Sequence, residues 1–254
     1  VFALSVGRKA DRPDYLIQTP LEKRKLKKRT IFATLLILLL IPLTLFVGVY
    51  YFAGRKYYFI SLLILLECML PFFLIFEGRK PQARELVLIA VLVALNVAGR
   101  AAFFMLPEFK PVVAMTILAG VAFGGETGFL VGAMTMLVSN MLFSQGPWTP
   151  WQMLGFGLVG FVGGVLFSGR RVRLVPLLIY GFLSVFVLYG VLLDTASMLM
   201  YNAAPSWQLW LATCTSGVVF NLIHAGSTAV FLLLLYQPLL TKLARVKEKY
   251  GLLE

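Results

Sequence analysis

Histidine occurs once in this 254-residue chain, cysteine twice and acidic side chains only 11 times. A single histidine, His224, excludes a histidine-rich metal site. Its place in the last apolar run, near Phe220 and Asn221, reads more readily as packing than as ligation. Cys68 and Cys214 lie inside apolar stretches without the spacing of a metal or redox motif, which makes them packing residues. A phosphate-binding loop of the form Gly-x-x-x-x-Gly-Lys-Ser/Thr is absent, so the chain does not hydrolyse a nucleotide by that route. Neither His-Glu-x-x-His nor Gly-x-Ser-x-Gly occurs, and nothing argues for an intramembrane enzyme. Charge is scarce altogether. Only 13% of residues are charged, against about 25% in a typical soluble domain, while 60% are hydrophobic.

What is present is a series of long apolar runs. A spanning helix needs about 20 apolar residues. Backbone groups in lipid must satisfy each other, which leaves helices or a closed barrel. Unbroken runs such as Ile31–Leu45 exclude the alternating pattern of a barrel. The fold class is therefore an all-α polytopic membrane protein. The runs predict eight spans: Ile31–Ala53 with a kink at Pro42, Tyr57–Phe76, Glu85–Met105, the short Val112–Phe123, Gly128–Phe143, Gln152–Phe167, Leu174–Leu193 and Trp207–Leu239. The last is long for one crossing, so it should tilt, kink near Gly217 or Gly226, or leave the bilayer. About thirty polar and basic residues precede the first run, a pattern unlike a cleavable signal peptide.

The +12 net charge invites a nucleic-acid reading, but the basic residues gather at membrane boundaries and read as topology signals and contacts to anionic lipid. Eight spans place both termini on one side. Nine Lys/Arg then fall in residues 1–30, three in 77–84, three in 169–173 and four in the C-terminal tail, which puts 19 of 23 on that side. The positive-inside rule makes it cytoplasmic. Arg55, Lys56 and Lys110 fall on the outer side, and Arg100 lies within a helix.

The outer loops 106–111, 144–151 and 194–207 carry Glu108, Lys110, Gln145, Trp148, Trp151, Asp194, Tyr201, Asn202 and Trp207. Two readings stand side by side: an organic-ligand pocket, with rings for area and polar groups for orientation, or an interfacial aromatic belt. Pro147 and Pro150 favour a structured loop. Arg100 calls for a partner or a polar cavity, and Glu108 or a ligand's negative group would serve; the alternative is snorkelling to the headgroups. Asn96 and Asn140 suit interhelical hydrogen bonds. Ala90, Ala94, Ala98 and Ala102 recur every four residues, a stripe that lets another helix approach closely. Glu67, inside the second span, has no assigned partner.

From Glu85 onward the chain resembles the substrate-binding (S) component of energy-coupling factor (ECF) transporters, the bacterial vitamin importers. Three stretches carry the resemblance. The first is Glu-Leu-Val-Leu-Ile-Ala-Val-Leu-Val-Ala-Leu-Asn-Val-Ala-Gly-Arg at 85–100, with its Ala-x-x-x-Ala pattern. The second is Gly-Pro-Trp-Thr-Pro-Trp-Gln-Met at 146–153, and the third is the basic ending at 237–252. The resemblance implies a bacterial cell-membrane protein with both termini cytoplasmic. Its parts would be a basic segment (1–30), two additional helices (31–76) and a six-helix substrate-binding core with a basic tail (85–254). It implies an outer ligand pocket, for which Arg100, Phe104, Glu108, Lys110, Trp148, Trp151, Tyr201, Asn202 and Trp207 are the candidates. It implies that Ala90 and Ala94 pack against a transmembrane coupling subunit, that two ATPase subunits supply the energy, and that the binding component topples to carry its ligand inward. The Trp-Thr-Pro-Trp loop and the added N-terminal helices look most like members associated with cobalamin. A smaller vitamin or nucleobase-like precursor is the alternative ligand. A membrane assembly protein, or an intramembrane enzyme using Glu67 or Asp194, is the alternative class.

Overall fold

The computed structural model describes residues 83–170, 172–202 and 206–250, together with 35, 39, 40, 42–44, 46, 47, 63 and 67. The predicted segment 1–30 and most of the predicted helices at 31–76 lie outside the described residues. Within that region, the Thr44 hydroxyl donates to the Glu67 carboxylate, so Glu67 has a partner across the first two predicted spans.

Among the described residues the architecture is entirely helical. Six helices follow in order: α1 Ala83–Ala102, α2 Val112–Phe123, α3 Gly125–Phe143, α4 Thr149–Phe167, α5 Leu174–Tyr201 and α6 Trp207–Tyr250. Five of them are long and apolar enough to cross a membrane; α2 is the exception. With 12 residues it spans only about 18 Å at about 1.5 Å per residue, against a hydrocarbon core of about 30 Å. It is tolerated because protein surrounds it: ten of its residues are buried, including Ile117, Leu118 and Ala119. Gly124, at φ 101°, turns the chain from α2 directly into α3, a conformation that L side chains rarely adopt.

Helices α2, α3 and α4 pack backbone to backbone. A methyl group added at Gly128 would run into the Gly160 carbonyl oxygen, and one at Gly132 into that of Phe156. One at Gly120 would also meet Gly160, and one at Gly164 would meet Gly125. Lipid tails are as apolar as the side chains, so close approach of small residues, rather than hydrophobic burial, holds such helices together. Around this triplet, α6 packs on α2 and α5, and α1 packs on α3 and α2. Leu92 of α1, Phe123 of α2, Val131 of α3 and Leu243 of α6 form a second apolar cluster.

Two elements run on past the apolar stretches that mark them in the sequence. Helix α5 continues to Tyr201, beyond the predicted end at Leu193, and contains a π-helical segment, Ser184–Tyr189. Helix α6 runs 44 residues without interruption at Gly217 or Gly226 and includes Pro238. That is about 66 Å, about twice a hydrocarbon core of about 30 Å, which accords with extension beyond the bilayer among the alternatives of tilt, kink and extension. The alanine stripe on α1 (Ala90, Ala94, Ala98 and Ala102) is exposed, while Leu92, Val93 and Asn96 on the opposite face are buried.

Candidate functional site

Polar side chains inside an apolar bundle are costly unless they pair, and here they pair into two neighbouring groups. The first joins α1, α3 and α4. Arg100 Nη1 donates to Ser139 Oγ at 2.5 Å and to Asn140 Oδ1 at 2.6 Å. Asn140 Nδ2 in turn donates to Thr149 Oγ1 at 2.9 Å and to Gln152 Oε1 at 2.8 Å. The Arg100 guanidinium also lies 5.6 Å from the centroid of Phe143, which stacks on Phe104 at 5.2 Å. One turn deeper, Asn96 Nδ2 donates to Thr116 and Thr135, the interhelical bond expected of it.

The second group joins the α1–α2 loop to α5 and α6. His224 is buried, with Nδ1 3.4 Å from a Glu108 carboxylate oxygen. Its ring meets Tyr189 edge-on at 5.1 Å and tilts against Phe156 at 6.0 Å. Glu108 adopts φ 53°, a left-handed conformation uncommon for a residue with a side chain. The loop is pinned on both sides of that residue. Lys110 N donates to Ser227 Oγ at 2.9 Å, Ser227 returns a bond to the Lys110 carbonyl, and Phe103, Phe109 and Phe231 form an aromatic trio. The Tyr189 ring also packs edge-on against Phe156 of α4 at 5.0 Å, so it touches both α4 and α6.

The predicted site residues therefore divide. Arg100 belongs to the first group and Glu108 to the second, with Phe104 reaching the first through Phe143 and the Lys110 backbone fastening the loop of the second. Arg100 reaches Ser139 and Asn140 rather than Glu108, whose carboxylate turns to His224. Trp151 is only 2% exposed and belongs to the apolar core, whereas Trp148 is half-buried in the loop before α4. Tyr201 ends α5, Asn202 caps it and Trp207 begins α6. Asp194 of α5 accepts from Asn221 at 2.8 Å and packs on Gly217, and Trp207 lies ten residues before Gly217, about 15 Å further along the helix. Trp207 stacks on Trp210 at 4.8 Å, and Tyr201 is 75% exposed.

Gln152, Tyr189 and His224 join the site without having been assigned to it from sequence. Gln152 carried a signal: it is a polar residue one turn after Thr149 in an otherwise apolar helix. Tyr189 carried none, because the π-helical segment that orients it is invisible to a 3.6-residue periodicity.

A family model described as "ECF-type riboflavin transporter, S component" matches residues 80–241, well over half of the chain. The matched segment contains α1 to α5 and most of α6. Its description names riboflavin rather than cobalamin. A UPF0397 protein of Vibrio atlanticus is 37% identical over 89 residues, 33% of this chain and 48% of that protein. A UPF0397 protein of Aliivibrio salmonicida is 33% identical over 99 residues, 36% of this chain and 54% of that protein. The chain thus spans about half the length of the curated relatives it matches. No solved structure matches it.

Proposed function

The chain belongs to the ECF-type riboflavin transporter S component family, and from that premise we propose that it is the membrane-embedded binding subunit of an ATP-driven vitamin importer. As an S component it is a transport subunit of the membrane and not an enzyme. The proposal adds the partners and the direction. A transmembrane coupling subunit docks on the exposed Ala90–Ala94 face, two ATPase subunits supply the energy, both termini are cytoplasmic, and the vitamin enters from the outer side. The observation that carries the reading is the pair of polar groups, Arg100–Asn140–Gln152 and Glu108–His224, inside the segment matched by the family.

Two vitamins compete for the site. Cobalamin is the ligand expected from the Trp-Thr-Pro-Trp loop, and riboflavin is the one in the family description. Calorimetric titration of the purified chain in nanodiscs, first with cobalamin, then riboflavin, then other vitamins, tests the reading. Saturable binding of one vitamin near one per chain supports the binding-subunit role and names its ligand. A folded sample that binds none of them favours the assembly-protein alternative.

A further inference from the structure

We infer that the α1–α2 loop is a proton-sensitive strap, fastened to α6 by the Glu108–His224 pair and held more firmly as the surrounding solution becomes acidic. The strap is a property of the loop and of α6 alone, whichever ligand the chain takes.

Two fastenings hold the loop against α6, and they differ in kind. Ser227 Oγ accepts from Lys110 N at 2.9 Å and donates to the Lys110 carbonyl at 3.2 Å. A hydroxyl and a peptide group do not titrate in water, so this fastening is indifferent to pH. Three residues earlier on α6, His224 Nδ1 lies 3.4 Å from Glu108 Oε2. A neutral imidazole offers that carboxylate at most a hydrogen bond, whereas a protonated one offers a full charge. Glu108 itself sits at φ 53°, a conformation that persists only where its surroundings hold it. The loop is therefore loaded toward release at the residue that carries the titrating contact. The Glu108 side chain is 41% exposed and that of His224 6%, so the carboxylate can leave for water while the imidazole stays buried.

The neighbours of His224 give the sign. Its ring packs against Tyr189 of α5 and Phe156 of α4. Tyr189 carries a phenol, neutral between about pH 5 and about pH 8. Asp194 of α5 has its carboxylate on Asn221, and Arg100 of α1 has its guanidinium on Ser139 and Asn140. The loop brings Glu108 and, opposing it more weakly, Lys110. Among the described charged groups only Glu108 lies in contact with the imidazole. When the loop lifts, a protonated His224 keeps its aromatic neighbours and loses its carboxylate, and a buried cation without a partner is costly. The proton thus binds the fastened state more tightly than the lifted one. By linkage, falling pH favours fastening and rising pH releases it, over the range of about pH 5 to about pH 8 in which imidazoles titrate.

A nitroxide label reads the loop in the full chain in nanodiscs. The two native cysteines, Cys68 and Cys214, are replaced by Ala, and the label is attached at Met105→Cys, a position 85% exposed within the loop. A label at Met141→Cys, exposed near the end of α3, gives the reference spectrum. From about pH 5.5 to about pH 8 the mobile component at the loop position should grow about fivefold, while the reference stays constant. Glu108→Gln and His224→Gln should each remove this pH dependence. Ser227→Ala should enlarge the mobile component throughout and keep the pH dependence. If His224→Gln does not fold, Glu108→Gln decides, because that side chain is partly at the surface. A loop spectrum that does not change with pH, a loop more mobile in acid, or a pH dependence that survives in Glu108→Gln overturns the strap. The binding-subunit reading is untouched by any of these outcomes, since the vitamin titration tests it separately.

Discussion

Arg100 on α1 and Asn140 on α3 are joined by a 2.6 Å hydrogen bond across 40 positions of sequence. The bond ties the first helix of the bundle to the glycine-packed triplet behind it, and it sets the polarity of every polar contact that follows. Substituting Arg100 with Leu leaves Asn140 Oδ1 and Ser139 Oγ without their donor, a loss of about 1–3 kcal/mol. The double substitution Arg100→Leu with Asn140→Leu should cost less than the sum of the two single changes, because removing both partners strands fewer groups. Thermal melting of the four proteins in nanodiscs measures the coupling, and strict additivity would disprove it.

The two tryptophans flanking Thr149 and Pro150 should behave differently, although the sequence treats them alike. Trp151 is 2% exposed among the core residues, so Trp151→Ala should cost about 3–5 kcal/mol of stability. Trp148 is half-buried in the loop, and Trp148→Ala should leave the melting temperature within a few degrees. If the loop borders the site, ligand affinity will fall in Trp148→Ala even so. Melting curves and titration on the same samples separate the two effects.

Ala90 and Ala94 are exposed on α1 while Leu92, Val93 and Asn96 are turned inward. Leucine at both alanines should therefore fold normally and bind ligand as the wild type does. What it should lose is copurification with the coupling subunit, because close helix approach depends on small side chains. Retention of the complex would remove this face from the proposed interface.

Gly160 offers the opposite case. A methyl group there collides with the Gly128 carbonyl oxygen and also approaches Thr116. Gly160→Ala has to push α3 and α4 apart, and overpacking of this kind costs about 1–3 kcal/mol. A lowered melting temperature in detergent, without any change in helix content by circular dichroism, is the expected outcome.

Composition and run length were sufficient to establish the membrane, the helical class and the approximate position of each described helix, because the bilayer imposes a length and a hydropathy that local sequence must meet on its own. The small-residue stripe on α1 and the interhelical role of Asn96 were legible for the same reason, since both are properties of one helix face. Which polar residues meet was not legible. The partner of Arg100 is 40 positions away on another helix rather than nearby at Glu108. Glu108, on a left-handed backbone, pairs with His224, 116 positions away on the last helix. Asp194 pairs with Asn221, 27 positions away on the next helix. Local sequence therefore determined which segments enter the lipid, while helix packing, through glycine contacts and a π-helical turn, decided which of their polar groups face one another.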